Sequence, residues 1–570
     1  MKKNTAISVV LFVLLVFSLF ISGCAKDLYA TGGSNEQQVE EKSQEEIQKE
    51  LEAEEERRRL EEEEKKRQER EKKEQALKEE LGPFYVPLPP EEKTDNPRVK
   101  ARGIYLTGNT VDLENRYSQL LELIETTELN AMVIDVKNDH GLMSYPSEIE
   151  IVEQVQANRK APIKGIKEVI EDLKKRNIYP IARIVVFKDP NLPEHRPEWA
   201  LQKKTGGVWR DKNGVAWVNP YEKKVWDYNI AIAKEAALLG FREIQFDYIR
   251  FPENAKRVDQ VVNYGDNGVS KDEIIEKFLE YAREQLKGYN VHIAADVFGV
   301  IATSWGDSDK IGQTWERMTS KLDYICPMIY PSHYGPGYFG FRVPDANPVG
   351  TIKAALTDSI KRNASIKNPG IIRPWLQGFT ASWVPGNISY GAEEIRVQID
   401  TALALGIDEY LIWNASNRYI KEAFRPEEEF KIKVEKLKKL REENGLDVLG
   451  KTTLQAIEDF LRAFSKKDWR EALVLHANNF TMGYENYKDW VDSWTGKIST
   501  YEIKANSTSG EKTIYEVDLN IIRDKDTIKL KGQKFEVYKE NNIWKVKPSN
   551  DFLKVLTEKP SVEEVQKNQN

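Results

Sequence analysis

Four charged residues stand in or at the ends of short apolar runs: Asp135 in 131–136, Arg183 in 179–187, Asp247 in 243–249 and Asp296 in 291–297. Side chains alternate along an extended strand, so residues two apart share a face. Val133, Asp135 and Lys137 therefore share one face, as do Ile181, Arg183 and Val185, Gln245 and Asp247, and Ala294, Asp296 and Phe298. If these faces point inward, three carboxylates and one guanidinium meet in a single interior, where charge is costly unless it is paired. One Arg does not balance three carboxylates, so at least one of them is expected to hold a proton near neutral pH. Asp247 is expected to be ionised, with Arg183 and Arg250 nearby. Asp296, flanked by Ala295, Val297 and Phe298, has no evident cation and is expected to have the raised proton affinity of a general acid. The other reading is a structural network, Asp135–Arg183–Asp247, that holds the strands together.

Aromatic residues gather at the same run ends: Tyr248, Phe298, Trp305, Tyr330, Tyr334, Trp375, Trp383 and Trp413. Flat rings beside carboxylates suit sugars, whose C–H faces pack on aromatics while their hydroxyls need polar partners. Candidates for the latter are Lys137, Arg250, His333, Gln377 and Asn414. For Trp375 and Trp413, which fall within strands, packing in the core is the competing role. Five scattered histidines and the lack of any His-Glu-x-x-His or Asp-x-Asp-x-Asn-Gly spacing give no reason to expect a metal, and nothing calls for an organic cofactor.

The elements that must position these groups can be counted. From Arg102 onward, eight short apolar strands alternate with amphipathic helices over 99–445, the pattern of a (β/α)8 TIM barrel. The strand exits of such a barrel floor its active site, which favours chemistry for Asp247. A doubly wound open sheet is the alternative, but no Gly-x-Gly-x-x-Gly or Gly-x-x-x-x-Gly-Lys-Ser/Thr turn follows any strand. Residues 450–550 read as helices and then alternating strands, a small α+β domain similar to the nuclear-transport-factor-like cone, with a disordered tail at 551–570.

Ahead of the barrel, Lys2 and Lys3 precede an apolar run that ends in Ile-Ser-Gly-Cys24. This resembles the lipobox of bacterial lipoproteins and implies lipidation of Cys24 at the extracytoplasmic face of the membrane. An uncleaved membrane anchor is the alternative. Residues 35–81 are almost wholly Glu, Lys, Arg and Gln, with apolar positions too sparse for a heptad, and Glu54/Arg58, Glu61/Lys65, Glu62/Lys66 and Glu69/Lys73 are spaced as i,i+4 pairs. A solvated helical spacer is expected, then a Pro-rich extended linker over 82–98. The 570 residues are 31% charged with a net charge of −7, which argues against a membrane bundle and gives nucleic acid no basic stripe to bind.

Six motifs occur in order at successive strand ends: Gly-Ile-Tyr-Leu-Thr107, Ile134-Asp-Val-Lys-Asn-Asp139, Ile181-Ala-Arg-Ile-Val-Val-Phe187, Phe246-Asp-Tyr-Ile-Arg-Phe-Pro252, Ala295-Asp-Val-Phe-Gly299 and Met328-Ile-Tyr-Pro-Ser332. Together they resemble the bacterial glycoside hydrolase TIM-barrel domain family, here within an expected lipoprotein, and that family is distantly similar to the α-amylase-like glycosidases. The resemblance implies a nucleophilic carboxylate closing the fourth strand, matched by Asp247, and an acid/base carboxylate closing the fifth, matched by Asp296. Two departures stand out. Gln245 occupies the place where amylase-like enzymes carry Arg, and Asp296 the place where they usually carry Glu. The functional expectation is an extracytoplasmic glycoside hydrolase acting on a polysaccharide; the rival is a carbohydrate-binding envelope lipoprotein without turnover.

Overall fold

A computed structural model describes residues 44–91, 95–266, 268–478, 482–523 and 526–557. The export segment 1–24 with Cys24, and positions 558–570 of the expected tail, lie outside the described residues. Residues Gln44–Leu81 form one continuous helix. Pairs such as Arg58–Glu54 at 2.8 Å and Lys66–Glu62 at 2.7 Å bridge successive turns, whereas Glu61 and Glu69 pair with Arg57 and Lys65. Each such exposed pair contributes about 0.2–0.5 kcal/mol to the helix.

Eight parallel strands follow: β1 (Arg102–Leu106), β2 (Ala131–Lys137), β3 (Tyr179–Val185), β4 (Glu243–Asp247), β5 (His292–Phe298), β6 (Tyr324–Ile329), β7 (Trp375–Gln377) and β8 (Tyr410–Trp413). Each pairs with its sequence neighbours, β8 pairs with β1, and Trp375 and Leu376 of β7 pair with Met328 and Ile329 of β6, so the sheet closes on itself. Helices between the strands bury their apolar stripes on its outer face; Lys223–Leu239, for example, buries Val225, Ile230, Ile232 and Ala236 and stops at Gly240, whose φ of +103° is open to glycine without strain. This is a (β/α)8 TIM barrel. Its seventh strand is interrupted. Ile371–Ile372 pairs with β6 alone, and Pro374, which has no N–H to donate, separates it from β7. The Pro-rich segment is extended but not free. Val86 is buried in the outer core of the barrel, and Tyr289 donates to the Pro87 carbonyl.

The bottom of the barrel is closed by ions. Arg373 donates to both oxygens of Glu243 at 2.8 Å and to Glu409 at 3.1 Å, with its guanidinium 3.5 Å from the centre of the Tyr324 ring. One cation is thus shared by Glu243 at the start of β4 and Glu409 just ahead of β8, far from the strand exits.

The C-terminal region packs Thr453–Lys466, Trp469–Leu475 and Tyr484–Asp492 against an antiparallel sheet of β9 (Gly496–Ser509), β10 (Lys512–Arg523), β11 (Asp526–Glu540) and β12 (Ile543–Lys547). The tail expected from 551 does not begin there. Asn550–Thr557 is helical and sinks Phe552 and Leu556 into this second core, the two apolar residues four apart supplying the stripe that a tail lacks.

Candidate active site

Arg183, at the centre of β3, is the hub of the barrel mouth. Its Nη1 donates to Oδ1 of Asp135 at 2.6 Å, while Nε and Nη2 reach Oδ2 of Asp247 at 2.9 and 2.5 Å. The guanidinium also lies over the rings of Tyr105 and Trp413, which stack at 4.1 Å. Oδ2 of Asp135 accepts from the Tyr105 hydroxyl at 2.6 Å, so both of its oxygens are engaged. Burial raises the proton affinity of Asp135 more than Arg183 and Tyr105 lower it.

Asp296 reaches the same interior from β5. Phe246 pairs with Ala295 across the β4–β5 ladder, so Asp247 and Asp296, the next residue on each strand, stand side by side where neighbouring strands are about 4.8 Å apart. Oδ1 of Asp296 accepts from the Trp375 indole at 2.7 Å. Burial first, and then the negative charge of Asp247, push its carboxyl well above the usual carboxylate range; Arg183 and the Trp375 hydrogen bond pull the other way and do not prevail. Asp247 turns its other oxygen, Oδ1, to the backbone N–H of Tyr248 at 2.6 Å. Tyr248 has φ +52°, a left-handed conformation that strains a bulky residue, and this turn ends β4 two residues short of the expected Ile249.

Several residues expected at the mouth are placed elsewhere. Lys137 does not join Asp135. The β2–β3 register slips between Asp135 and Lys137, and the Lys137 ammonium turns to the outer layer, where it lies 2.7 Å from Asp189 and over the ring of Tyr228, both partners fully buried. Trp305 is absent from the cleft as well: it packs edge-on to Trp469 at 4.8 Å and under Arg362, joining the loop after β5 to the C-terminal domain. Trp375 is a buried interior ring whose indole N–H bonds Asp296, whereas Trp413 is half-buried at the mouth. Arg250 is buried between Phe298, Tyr248 and Trp217 and bonds Glu253. Gln377 and Asn414 spend their amides on loop groups: Gln377 on Ser332, Asp345 and Phe379, and Asn414 on Gly378 and Arg418. Tyr330 is buried beside the carboxylates, and His333 is exposed at the rim with its ring 5.1 Å from that of Tyr330.

Three participants went unrecognised in the sequence. Tyr105 bonds Asp135; Lys188 approaches Asp139 and the Tyr248 hydroxyl, each at 3.4 Å. Burial raises the proton affinity of Asp139, but Lys188, Arg183 and His140 together hold its carboxyl below the ordinary value. Tyr105 and Asp139 both lie inside the quoted motifs, but no spacing rule assigned them a role. Among the described residues no group of three His, Cys, Asp or Glu side chains is arranged to hold a metal ion.

A cleft of about 540 Å³ opens over the exits of β1–β3, lined by Tyr105, Asn109, Asp135, Asp139, His140 and Arg159 among others. It touches the carboxylate cluster through Asp135; Asp247 and Asp296 lie beyond Arg183.

A family model described as "Putative glycosyl hydrolase domain" matches residues 103–419. The chain belongs to that family. The matched span of this glycosyl hydrolase domain runs from β1 through the loop after β8 and takes in all four charged residues of the mouth. A solved hypothetical protein from Ruminiclostridium thermocellum is 43% identical over 34% of this chain and 97% of its own, with a TM-score of 0.32. The glycoside hydrolase domain of PgaB (BpsB) from Bordetella bronchiseptica is 14% identical over 61% of this chain and 99% of its own, with a TM-score of 0.39. The maltogenic α-amylase AmyB from Thermotoga neapolitana is 11% identical over 78% of this chain and 98% of its own, with a TM-score of 0.35. No curated protein matches the chain. Gln245, two residues before Asp247 on β4, contacts Cys326 through its amide, and the cation beside Asp247 comes from the neighbouring strand as Arg183.

Proposed function

We propose that the barrel hydrolyses glycosidic bonds of a polysaccharide outside the cytoplasmic membrane, with Asp247 as nucleophile and Asp296 as acid and base. The observation that carries this reading is the contrast between two neighbouring strand-end carboxyls. Asp247 is held by Arg183 and a backbone amide, and Asp296 is buried against a neutral indole with its proton affinity raised. Such divergent surroundings are what a nucleophile and an acid require. In the first step a carboxylate oxygen of Asp247 bonds to the anomeric carbon as the glycosidic C–O bond breaks, and the departing oxygen takes the proton of Asp296. In the second, water gives a proton to Asp296 and its oxygen displaces Asp247 from the sugar. Side-by-side strand positions favour the short carboxyl separation of retaining enzymes, about 5–5.5 Å. Asp135, on β2 and so not beside Asp296 on β5, positions Arg183.

Release of reducing ends from a panel of soluble glycans tests the reading, and NMR of the first-formed anomer tests the retaining route. A protein that retains glycan yet releases no reducing ends is a binding lipoprotein instead. Asp296→Asn should slow hydrolysis of unactivated glycosides by about 10²–10⁴-fold and that of aryl glycosides with good leaving groups far less. Equal losses on both would remove Asp296 from the acid role.

The location belongs to the same proposal: Cys24 is lipidated and the charged helix Gln44–Leu81 carries the barrel away from the membrane surface. Among the described residues no helix is long and apolar enough to cross a membrane. Cys24→Ala should abolish fatty-acid labelling and leave the precursor unprocessed, and unchanged labelling would rule out this anchor.

A further inference from the structure

We infer that Trp383 and Phe379, backed by the buried ring of Tyr330, form a second sugar-binding track, on the side of the mouth across from the 540 Å³ cleft, which makes the domain a reader of long chains cut internally. This rests on the glycosidase reading above and adds where the polymer lies.

Trp383 is 65% exposed, the one tryptophan among the large apolar side chains left in solvent among the described residues. It does not stand alone. Its ring stacks on Phe379 at 6.0 Å and 17°, Phe379 meets the edge of Tyr330 at 5.9 Å, and His333 lies beside both, 5.1 Å from Tyr330 and 6.4 Å from Phe379. Burial first, and then the nearby Asp296 and Asp247 carboxyls, push the proton affinity of Tyr330 up. A chain of ring contacts thus runs from the buried Tyr330, near the carboxylates, through Phe379 to the exposed Trp383 at the rim.

The track is also built in advance. Gln377, fully buried at the end of β7, accepts from the Ser332 amide at 3.0 Å and donates to the Phe379 carbonyl and to Asp345 at the same distance. One side chain therefore ties the loop that carries Tyr330 and His333 to the loop that carries Phe379 and Trp383. Rings held before binding lose little entropy when a ligand arrives, and a flat exposed face with hydroxyl and imidazole neighbours suits the C–H face and equatorial hydroxyls of a pyranose. The track leaves the mouth over β6 and β7, and the cleft over β1–β3. A chain threaded through both would pass the carboxylates mid-length, which is the geometry of internal cleavage.

The test is affinity electrophoresis of the full extracytoplasmic chain in gels cast with glycol chitin, carboxymethyl cellulose, mannan or pectin. The Asp247→Asn form is used so that the polymer survives. Trp383→Ala in that background should weaken retention by the retarding glycan about tenfold, the scale of one lost aromatic platform. Ile432→Ala, an equally exposed apolar residue on the helix Glu427–Glu443, should be retarded like its parent. With active enzyme, Trp383→Ala should raise KM for long chains more than for trisaccharides, and wild-type digests should show mid-length products early. Unaltered retention in Trp383→Ala, retardation of the parent by none of the glycans, or loss of binding to phosphatidylglycerol vesicles in place of glycan would each overturn the track. Reducing ends released with Trp383-independent retention would reject the track alone; Trp383-dependent retention without reducing ends would keep it and reject the hydrolase.

Discussion

Asp247→Asn should lower turnover by on the order of 10⁴-fold while leaving glycan retention within about twofold. The amide keeps the shape of the carboxylate, and its oxygen can still accept one Arg183 N–H and thereby hold the hub in place. It has no charge with which to attack an anomeric carbon. The same substitution removes the negative neighbour that helps to raise the proton affinity of Asp296. The alkaline limb of any residual pH–rate profile should therefore move to lower pH. Measuring kcat, glycan retention and that profile on one preparation separates the nucleophile from a merely structural carboxylate. Full activity of Asp247→Asn on a glycan cleaved by the wild type would transfer the role, and Asp135, which faces the cleft, would be next.

Arg183→Met should have the largest effect on stability, about 3–5 kcal/mol near neutral pH, the scale for removing one partner of a buried pair. Methionine fills much of the volume between Tyr105 and Trp413, so the loss is chiefly of charge. Asp135 and Asp296 would then lack the cation that lowers the proton affinity of each. Both already have folded-state values raised above those of the unfolded chain. Groups so raised contribute stability that is present below the unfolded value and lost as pH rises through the folded one. Deleting Arg183 raises them further and extends that loss to higher pH. The gap between Arg183→Met and wild type should consequently be small at pH 4–5 and largest at pH 8. Denaturant titrations at the two pH values decide the matter. An equal gap at both, or one below about 1 kcal/mol at pH 8, would mean that the hub is held by packing and that its charges are incidental.

The family carried by residues 103–419 could be read from the six ordered motifs, because strand alternation and turn residues act locally and leave their period in the sequence. The inward faces of Asp135, Arg183, Asp247 and Asp296 follow from the same period of two. What local pattern does not carry is where that period breaks. One slipped register between β2 and β3 sent Lys137 outward to Asp189, although it is two residues from Asp135 and by alternation shares its face. Trp305 obeyed no period at all: as a loop residue its place was decided by whichever surface could bury it, and Trp469 and Tyr484, more than 160 positions away, supplied that surface. The partners of a buried group are likewise nonlocal. Tyr105 against Asp135 and Trp375 against Asp296 meet only because the sheet closes, β8 on β1 and β7 on β6. The sequence by itself determined the number of barrel strands and the inward faces of Asp135, Arg183, Asp247 and Asp296, since both depend on neighbours in the chain. How each charge is paired, what raises the proton affinity of Asp296 and which rings reach the solvent were decided by the tertiary structure, because each depends on distances and burial that exist only once the barrel has closed.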